Sequence, residues 1–271
     1  MIKIDLHIHG APWENDWAAY RRSVWHAWRA GCEYIGISEH GPRFNHRAPY
    51  RSLYFCEFDR YFNTLDEIKL EFEGAAEVLT GFELDYNEWM VEHYRDLLPE
   101  LPLDFVIGSV HTVKDWVMGV DGSFEESSLS GLDSAGVYEA YFEELMNAAR
   151  TGLFDFIAHP DLVKRYLLRL GFANPANPAP IYQRAVEMLR ACEVGIEINT
   201  RGLLTAAGEY YPNDDFLREC ARAEIPLTIG SDSHDMVSAG LGVAEAVAHA
   251  WRIGFRQIHI WRKRERIALN I

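Results

Sequence analysis

Short apolar runs that end in polar residues alternate along this chain with longer segments of helical period. This alternation is typical of βα units around a parallel sheet, because each buried strand is followed by a helix that covers it. The weakest candidate strand, at residues 257–260, lies late in the chain. The seven stronger predicted strands lie at residues 2–7, 34–38, 78–83, 104–110, 154–158, 195–199 and 226–231.

The segments between these strands place apolar residues at positions i, i+3 and i+4, which predicts amphipathic helices that cover a barrel. Two stretches rich in Gly, Ser, Asn or Pro, 115–134 and 174–180, predict loops. Neither loop separates enough chain for a second core, so we predict one domain over residues 1–271 with an α/β fold, a TIM-like barrel. The predicted helices lie at residues 17–30, 57–72, 135–151, 181–192 and 214–223.

The composition is that of a globular protein, since 48% of the 271 residues are hydrophobic and 25% are charged. The 41 acidic and 26 basic residues give a net charge of -15, which would repel a phosphate backbone or an anionic membrane. No apolar stretch approaches the roughly 20 residues of a membrane-spanning helix. No secretory signal is visible, and the four cysteines lack C-x-x-C spacing. The sequence predicts a cytoplasmic protein with no nucleic-acid or membrane partner, and it leaves the oligomeric state open.

Side chains that bind metal ions follow nearly every predicted strand. Residues two apart on a strand point to the same face, so His7 and His9 can converge on one ion, as can Asp232 and His234. Because the carboxyl ends of barrel strands form one mouth, residues remote in sequence can meet there. The sequence therefore predicts a polynuclear metal site. Its candidate donors are His7, His9, His40, Glu83, His111, His159, Asp232 and His234.

A structural role is the alternative for each of these histidines. A single His-x-His is ordinary on a strand, and His111 or His159 alone would more often be a hydrogen-bonded histidine at the edge of a core. The joint occurrence favours metal binding, because six of the eleven histidines fall at predicted strand ends. Imidazole together with carboxylate suits Zn, Mn or Fe, and the sequence does not separate these metals.

Other motifs exclude functions instead of suggesting them. The chain has no Gly-x-Ser-x-Gly elbow and no Walker loop, which argues against the common serine hydrolases and NTP-binding proteins. The segment Gly240-Leu-Gly242 lacks the third glycine and the preceding strand of a dinucleotide fingerprint, so it is better explained as a turn or a helix start.

The candidate metal ligands resemble the motifs of the PHP (polymerase and histidinol phosphatase) superfamily, and the resemblance runs almost from end to end. Segments 105–111, 149–164 and 196–212 are similar to its stand-alone histidinol-phosphatase branch. The resemblance implies a distorted (β/α)7 barrel with three divalent metal ions. It implies that the first ion is held by His7, His9, Glu83 and Asp232, the second by bridging Glu83 with His111 and His159, and the third by His40 and His234.

Two departures from the family pattern concern the third ion and the substrate. The family usually supplies a further ligand, often a histidine, from the loop after His-x-His, and here Glu14 is the nearest suitable side chain. Relatives tend to carry a basic residue after Asn-Thr-x-Gly-Leu, where this chain has Leu204, with Arg201 nearby. Lys164 and Arg165 match a basic pair in the family. The resemblance therefore implies that Lys164, Arg165 and Arg201 contact the substrate.

The function that the resemblance implies is hydrolysis of a small phosphomonoester, L-histidinol phosphate, to L-histidinol and phosphate in histidine biosynthesis. A hydroxide that bridges the first two ions would attack phosphorus in line, with Glu83, Asp232 and His234 as catalytic residues. The proton donor for the leaving alkoxide stays open between Asp161 and a metal-bound water. The alternatives are a phosphodiesterase or nuclease, a phosphatase of another substrate, and a regulatory protein that binds metal without catalysis.

Overall fold

The computed structural model describes residues 2–10, 16–42 and 52–271. Seven of the strands in these ranges form one parallel sheet. Numbered along the chain, the first, second, third, fourth, seventh, eighth and ninth strands lie side by side in that order. The strands are β1 (Ile4–Ile8), β2 (Tyr34–His40), β3 (Glu77–Asp85), β4 (Phe105–Ser109), β5 (Thr112–Val113), β6 (Trp116–Val117), β7 (Phe156–Ile157), β8 (Gly195–Asn199), β9 (Leu227–Gly230), β10 (Gln257–Arg262) and β11 (Glu265–Asn270).

The sheet curls into a barrel that closes between β1 and the segment after β9. Ile8 and Ser233 form a parallel bridge, and the amide of His9 donates to the carbonyl of Ser233 at 2.9 Å. The buried carboxylate of Asp5 accepts hydrogen bonds from the amides of Ser231 at 2.8 Å and Gly240 at 2.7 Å. These bonds fix the carboxyl end of β1 beside the segment that follows β9, which confirms the predicted distorted (β/α)7 barrel.

Helices follow the sheet strands, as the alternation of patterns predicts. All five helices predicted from helical periodicity are present, as α1, α2, α4, α6 and α7. Three were not predicted: α3 and α5 have only seven residues, too few for a clear period, and α8 is rich in alanine. The helices are α1 (Ala18–Arg29), α2 (Phe58–Glu71), α3 (Val91–Leu97), α4 (Ser134–Arg150), α5 (Val163–Arg169), α6 (Ala179–Ala191), α7 (Asp214–Arg222) and α8 (Val243–Ile253).

A C-terminal hairpin covers the amino-terminal end of the barrel, opposite the mouth. It consists of β10 and β11, and only β10 was predicted. Arg264, in its turn, forms an ion pair with Asp155 at 2.5 Å, just before β7. The ring of Trp261 lies 5.0 Å from that of Phe156 on β7. The hairpin therefore closes the end of the barrel at which the strands begin.

The core is continuous through the barrel interior and the inner faces of the helices. Close contacts between strands and side chains require glycine at some positions, and a Cβ on Gly81 would lie 2.3 Å from the ring of Phe105. Within the described ranges, no helix is both long enough and apolar enough to cross a membrane.

Candidate metal centre

Glu83, near the carboxyl end of β3, contacts imidazoles on both sides of its carboxylate. Its Oε2 atom lies 2.9 Å from Nδ1 of His40. The same oxygen lies 3.4 Å from Nε2 of His7 and 3.4 Å from Nε2 of His9. The side chain is almost completely buried, and these three imidazoles are close neighbours of this oxygen.

The other oxygen of Glu83 faces a second pair of histidines. Its Oε1 atom lies 3.1 Å from Nε2 of His159 and 3.7 Å from Nε2 of His111. The ring of His111 is oriented by Asp85, whose Oδ1 lies 3.1 Å from Nδ1 and also accepts a hydrogen bond from the amide of His111 at 3.0 Å. Glu83 therefore lies between two groups of imidazoles, one at each oxygen.

His7 and His9 direct one ring nitrogen at a buried carboxylate and the other at each other. Nδ1 of His7 lies 2.8 Å from Glu197, and Nδ1 of His9 lies 3.4 Å from Glu39. If each Nδ1 donates its proton to its carboxylate, both Nε2 atoms carry lone pairs, and these atoms are 3.1 Å apart. Two such lone pairs repel unless a cation lies beside them. The arrangement matches the carboxylate–histidine–metal pattern of protein metal sites, so the donor set fits a metal ion.

The sequence-predicted ligands that the structure describes converge at the carboxyl-terminal mouth of the barrel. His9 belongs to two of the three donor groups given below, and the sequence did not predict that it would be shared. Glu14, the predicted third-site ligand, lies outside the described residues. Donor atoms within 4.8 Å of one another define three groups: His7, His9 and Asp232; Glu83, His111 and His159; and His9, His40 and His234.

The carboxylates of this cluster stay ionised in spite of burial. Burial opposes ionisation of Glu83, but the imidazoles of His40 and His7 hold the pKa of its carboxyl well below the usual range. Burial likewise opposes ionisation of Asp232, and His7 and His9 hold its pKa well below the usual range. The site therefore offers two ionised, buried carboxylates to a bound cation.

The histidines divide into two electrostatic classes. Burial lowers the pKa of His9, but its bonds to Asp232 and Glu39 outweigh burial and raise that pKa to about 9. Burial lowers the pKa of His40 to about 4, and burial together with neighbouring His9 lowers the pKa of His234 to about 3. Neutral His40 and His234 carry a lone pair that can bind a metal ion. Protons compete with a cation at His9.

Three residues of the site have a left-handed backbone conformation that is uncommon outside glycine. The φ angles are 31° at His159, 67° at Asp161 and 51° at Asp232. The conformation at Asp232 is supported by Arg201, whose Nη1 donates to the Asp232 carbonyl at 2.9 Å. Unusual backbone conformations of this kind are concentrated at functional sites.

A cavity of about 260 Å³ opens from the histidine cluster toward solvent. Among its lining residues are the predicted substrate contacts Arg165 and Arg201 and an arginine that was not predicted, Arg169. Within the described part of the chain, neither Arg165 nor Arg169 has an ion pair with a carboxylate. The cavity therefore combines the metal-type donors with cationic groups that are available to an anion.

Lys164, also predicted to contact substrate, does not line this cavity. Its side chain is fully buried, and its Nζ lies 3.1 Å from Oδ1 of Asp161 and 3.0 Å from Oε1 of Glu209. The same nitrogen donates to the carbonyl of Tyr210 at 2.7 Å. The lysine therefore joins the start of α5 to the 209–211 loop, outside the lining of the cavity.

Several residues that support the cluster were not among the predicted site residues. Glu197 also accepts from the amide of His159 at 2.8 Å, so it orients donors from two strands. Glu39 accepts from the hydroxyl of Tyr20 at 3.0 Å. The signal for Glu197 was present in the sequence, because this acid stands between two isoleucines in a buried strand, where a charge needs a partner.

These features define a class: an α/β barrel with buried histidine and carboxylate clusters at the carboxyl ends of its strands. The PHP domain family matches residues 5–201 of this chain, and the chain belongs to that family. The predicted membership is confirmed.

Similar proteins match the chain almost from end to end. It is 28% identical over 256 residues to the "Probable histidinol-phosphatase" of Deinococcus radiodurans, with 94% of this chain and 95% of the relative covered. It is 26% identical to the histidinol-phosphatase of Bacillus subtilis, with 89% and 96% covered. A solved structure of the histidinol phosphate phosphatase of Lactococcus lactis, complexed with zinc, L-histidinol and phosphate, shares the fold, with a TM-score of 0.74, 21% identity and 98% of each chain covered.

Proposed function

We propose that this protein is a metal-dependent phosphatase that hydrolyses L-histidinol phosphate to L-histidinol and phosphate, a reaction of histidine biosynthesis. One observation carries the proposal: buried histidine and carboxylate donors meet arginines without ion-pair partners in a single cavity. The relatives that bear the name histidinol-phosphatase match nearly the whole chain, which supports the same substrate here. The four free cysteines suit the cytoplasmic location that the sequence predicts.

The donor groups suggest how the ions would be held. We assign His7, His9, Glu83 and Asp232 to one ion, and Glu83, His111 and His159 to a second. His40 and His234 would hold a third together with His9, and Glu14 stays a predicted ligand there. Zn, Mn and Fe all suit imidazole with carboxylate, and zinc in the Lactococcus lactis structure makes zinc the first metal to test.

The residues of the cavity have separable tasks in the reaction. Bound divalent ions supply Lewis acidity and lower the pKa of water, which makes it a nucleophile near neutral pH. Arg165 and Arg201 bind the phosphoryl oxygens and share their charge as the ester bond breaks. Burial and neighbouring His9 hold the pKa of His234 to about 3, so its neutral ring is suited to bind a metal ion in this proposal.

The proton for the leaving alkoxide comes from water in this proposal. Asp161 was the other candidate donor, but its side chain is fully buried and does not line the cavity. Its Oδ2 accepts from Lys164 Nζ at 3.2 Å and from the amide of Asn213 at 2.9 Å. The overall reaction then consumes one water and yields the alcohol and inorganic phosphate.

A second candidate is a phosphatase of a different phosphomonoester on the same site. The observation that favours it is the charge of the cavity lining, in which Glu83 and Asp232 are the carboxylates and both are assigned to metals. Three arginines accompany them, so the lining recognises an anion and offers nothing further for a cationic alcohol.

A phosphatase screen separates the two candidates. Metal-loaded protein is assayed for phosphate release from L-histidinol phosphate and from a panel of neutral and anionic phosphomonoesters. A kcat/KM for L-histidinol phosphate far above that of the panel supports the proposal. Equal and slow release from all compounds favours another natural substrate, and release from none contradicts phosphatase activity.

A further inference from the structure

A second cavity, of about 190 Å³, lies beside the metal cavity at the mouth of the barrel. The two share three lining residues, Gly119, Tyr166 and Arg169, so they adjoin across the ring of Tyr166. Gly119 has a φ of +93°, and a Cβ at this position would lie 3.3 Å from the Tyr166 hydroxyl. A glycine therefore leaves space beside that hydroxyl, between the two cavities.

The wall of the second cavity comes from the insertion between β4 and α4, which the sequence predicted as a loop. Aromatic contacts hold the insertion, with the ring of Trp116 5.1 Å from that of Phe124 within it and 6.2 Å from that of Tyr166 on α5. Trp116 and Phe124 are buried. The cavity thus has an aromatic floor held by a compact insertion.

The second cavity differs from the metal cavity in the carboxylates of its lining, although Arg169 lines both. Asp121 and Glu125 line it, and neither has an ion-pair or hydrogen-bond partner among the side chains of the described residues. In the metal cavity, by contrast, the carboxylates in the lining are the two assigned to metals. Of these two cavities, only the second therefore has carboxylates that can bind a cationic group of the substrate.

We propose that the second cavity is the leaving-group subsite, and that it takes a flat, cationic alcohol such as L-histidinol. This inference rests on the proposed function and specifies its substrate recognition. Arg165 and Arg201 hold the phosphate, while the alcohol extends past Tyr166 toward Trp116 and Phe124. Its ammonium or imidazolium then lies near Asp121 and Glu125, and aromatic edges and faces contact the ring.

The test compares a double variant with a matched control from the same turn. Asp121→Asn combined with Glu125→Gln removes both carboxylates of the subsite without changing their shape. Glu126→Gln removes the same charge from the next residue, which is exposed and does not line the cavity. The ratio of kcat/KM for L-histidinol phosphate to kcat/KM for 4-nitrophenyl phosphate is measured for each protein, and calorimetry gives the affinity for L-histidinol.

We expect the double variant to lower this ratio by about threefold to tenfold, the effect of two partly exposed charge contacts. Affinity for L-histidinol should fall by a similar factor, and Glu126→Gln should change neither quantity. An unchanged ratio and affinity in the double variant, or equal effects in the control, would overturn the subsite. If the wild type did not prefer L-histidinol phosphate, that result would instead contradict the proposed function. The affinity for L-histidinol tests the subsite separately.

Discussion

The Nε2 atoms of His7 and His9 lie 3.1 Å apart, while Nδ1 of His7 lies 2.8 Å from a buried carboxylate, that of Glu197. Glu197 does not itself contact the space between the Nε2 atoms of His7 and His9. It sets the tautomer and the orientation of His7, and through the amide of His159 it also holds a donor from the other side of the cluster. The affinity of the site for metal should therefore depend on a residue that does not bind the metal.

The first prediction concerns this carboxylate. Glu197→Gln keeps the shape of the side chain but removes the charge that orients His7, so metal affinity should fall by about tenfold to a hundredfold. Competition with a chelator of known affinity measures the change in Kd. Glu187→Gln, an exposed change on α6, serves as the control, and equal affinities in all three proteins would show that Glu197 has no such role.

A second prediction concerns the donors themselves. His159→Ala and Asp232→Asn should each lower kcat for phosphate release by about a hundredfold or more, because each removes a proposed metal ligand. His26→Ala, on the outer helix α1, is the comparison. The division between ligand and structural histidines would be wrong if His26→Ala were as damaging at equal thermal stability.

The fold and most of the donor set could be predicted from the sequence, because both follow from local patterns. A buried strand is recognisable from its apolar run. His7 and Asp232 are conspicuous because each stands at the end of such a run. Partners that depend on tertiary position could not be predicted in this way. Lys164 stands beside Arg165 in the chain, yet the helical turn of α5 directs the lysine into the protein and leaves the arginine at the cavity. Strand β11 lacks an apolar run, because only one face of the hairpin is covered.

Lys164 and Arg165 should accordingly differ in what they contribute. Lys164→Met leaves Asp161 buried without its cation, and breaking a buried ion pair costs about 3–5 kcal/mol of unfolding free energy. Arg165→Met should leave the free energy of unfolding nearly unchanged and raise KM for the phosphomonoester. Chemical denaturation and steady-state kinetics on both variants check this pair. A stable Lys164→Met protein with a raised KM would restore the expectation that Lys164 contacts substrate.

A prediction for pH concerns Asp155, far from the metal cluster. Burial raises the pKa of this carboxyl to about 6, although Arg264 opposes the shift. The folded protein then holds the proton more tightly than the unfolded chain. This difference stabilises the folded state fully below the ordinary pKa of 3.8, and the stabilisation is lost as the pH rises through about 6. The free energy of unfolding of the wild type, relative to Asp155→Asn, should therefore decrease over this range. An increase would show that the ion pair with Arg264 outweighs burial.

The most direct test of the central claim is phosphate release from L-histidinol phosphate before and after removal of metal. The protein is stripped with a chelator, dialysed, and titrated with zinc or manganese while bound metal and kcat/KM are measured on the same samples. The account predicts that activity is lost on stripping, returns as metal binds in a ratio above one per chain, and greatly exceeds activity on other phosphomonoesters. Full activity in the stripped protein, or metal binding without any phosphate release, would contradict it.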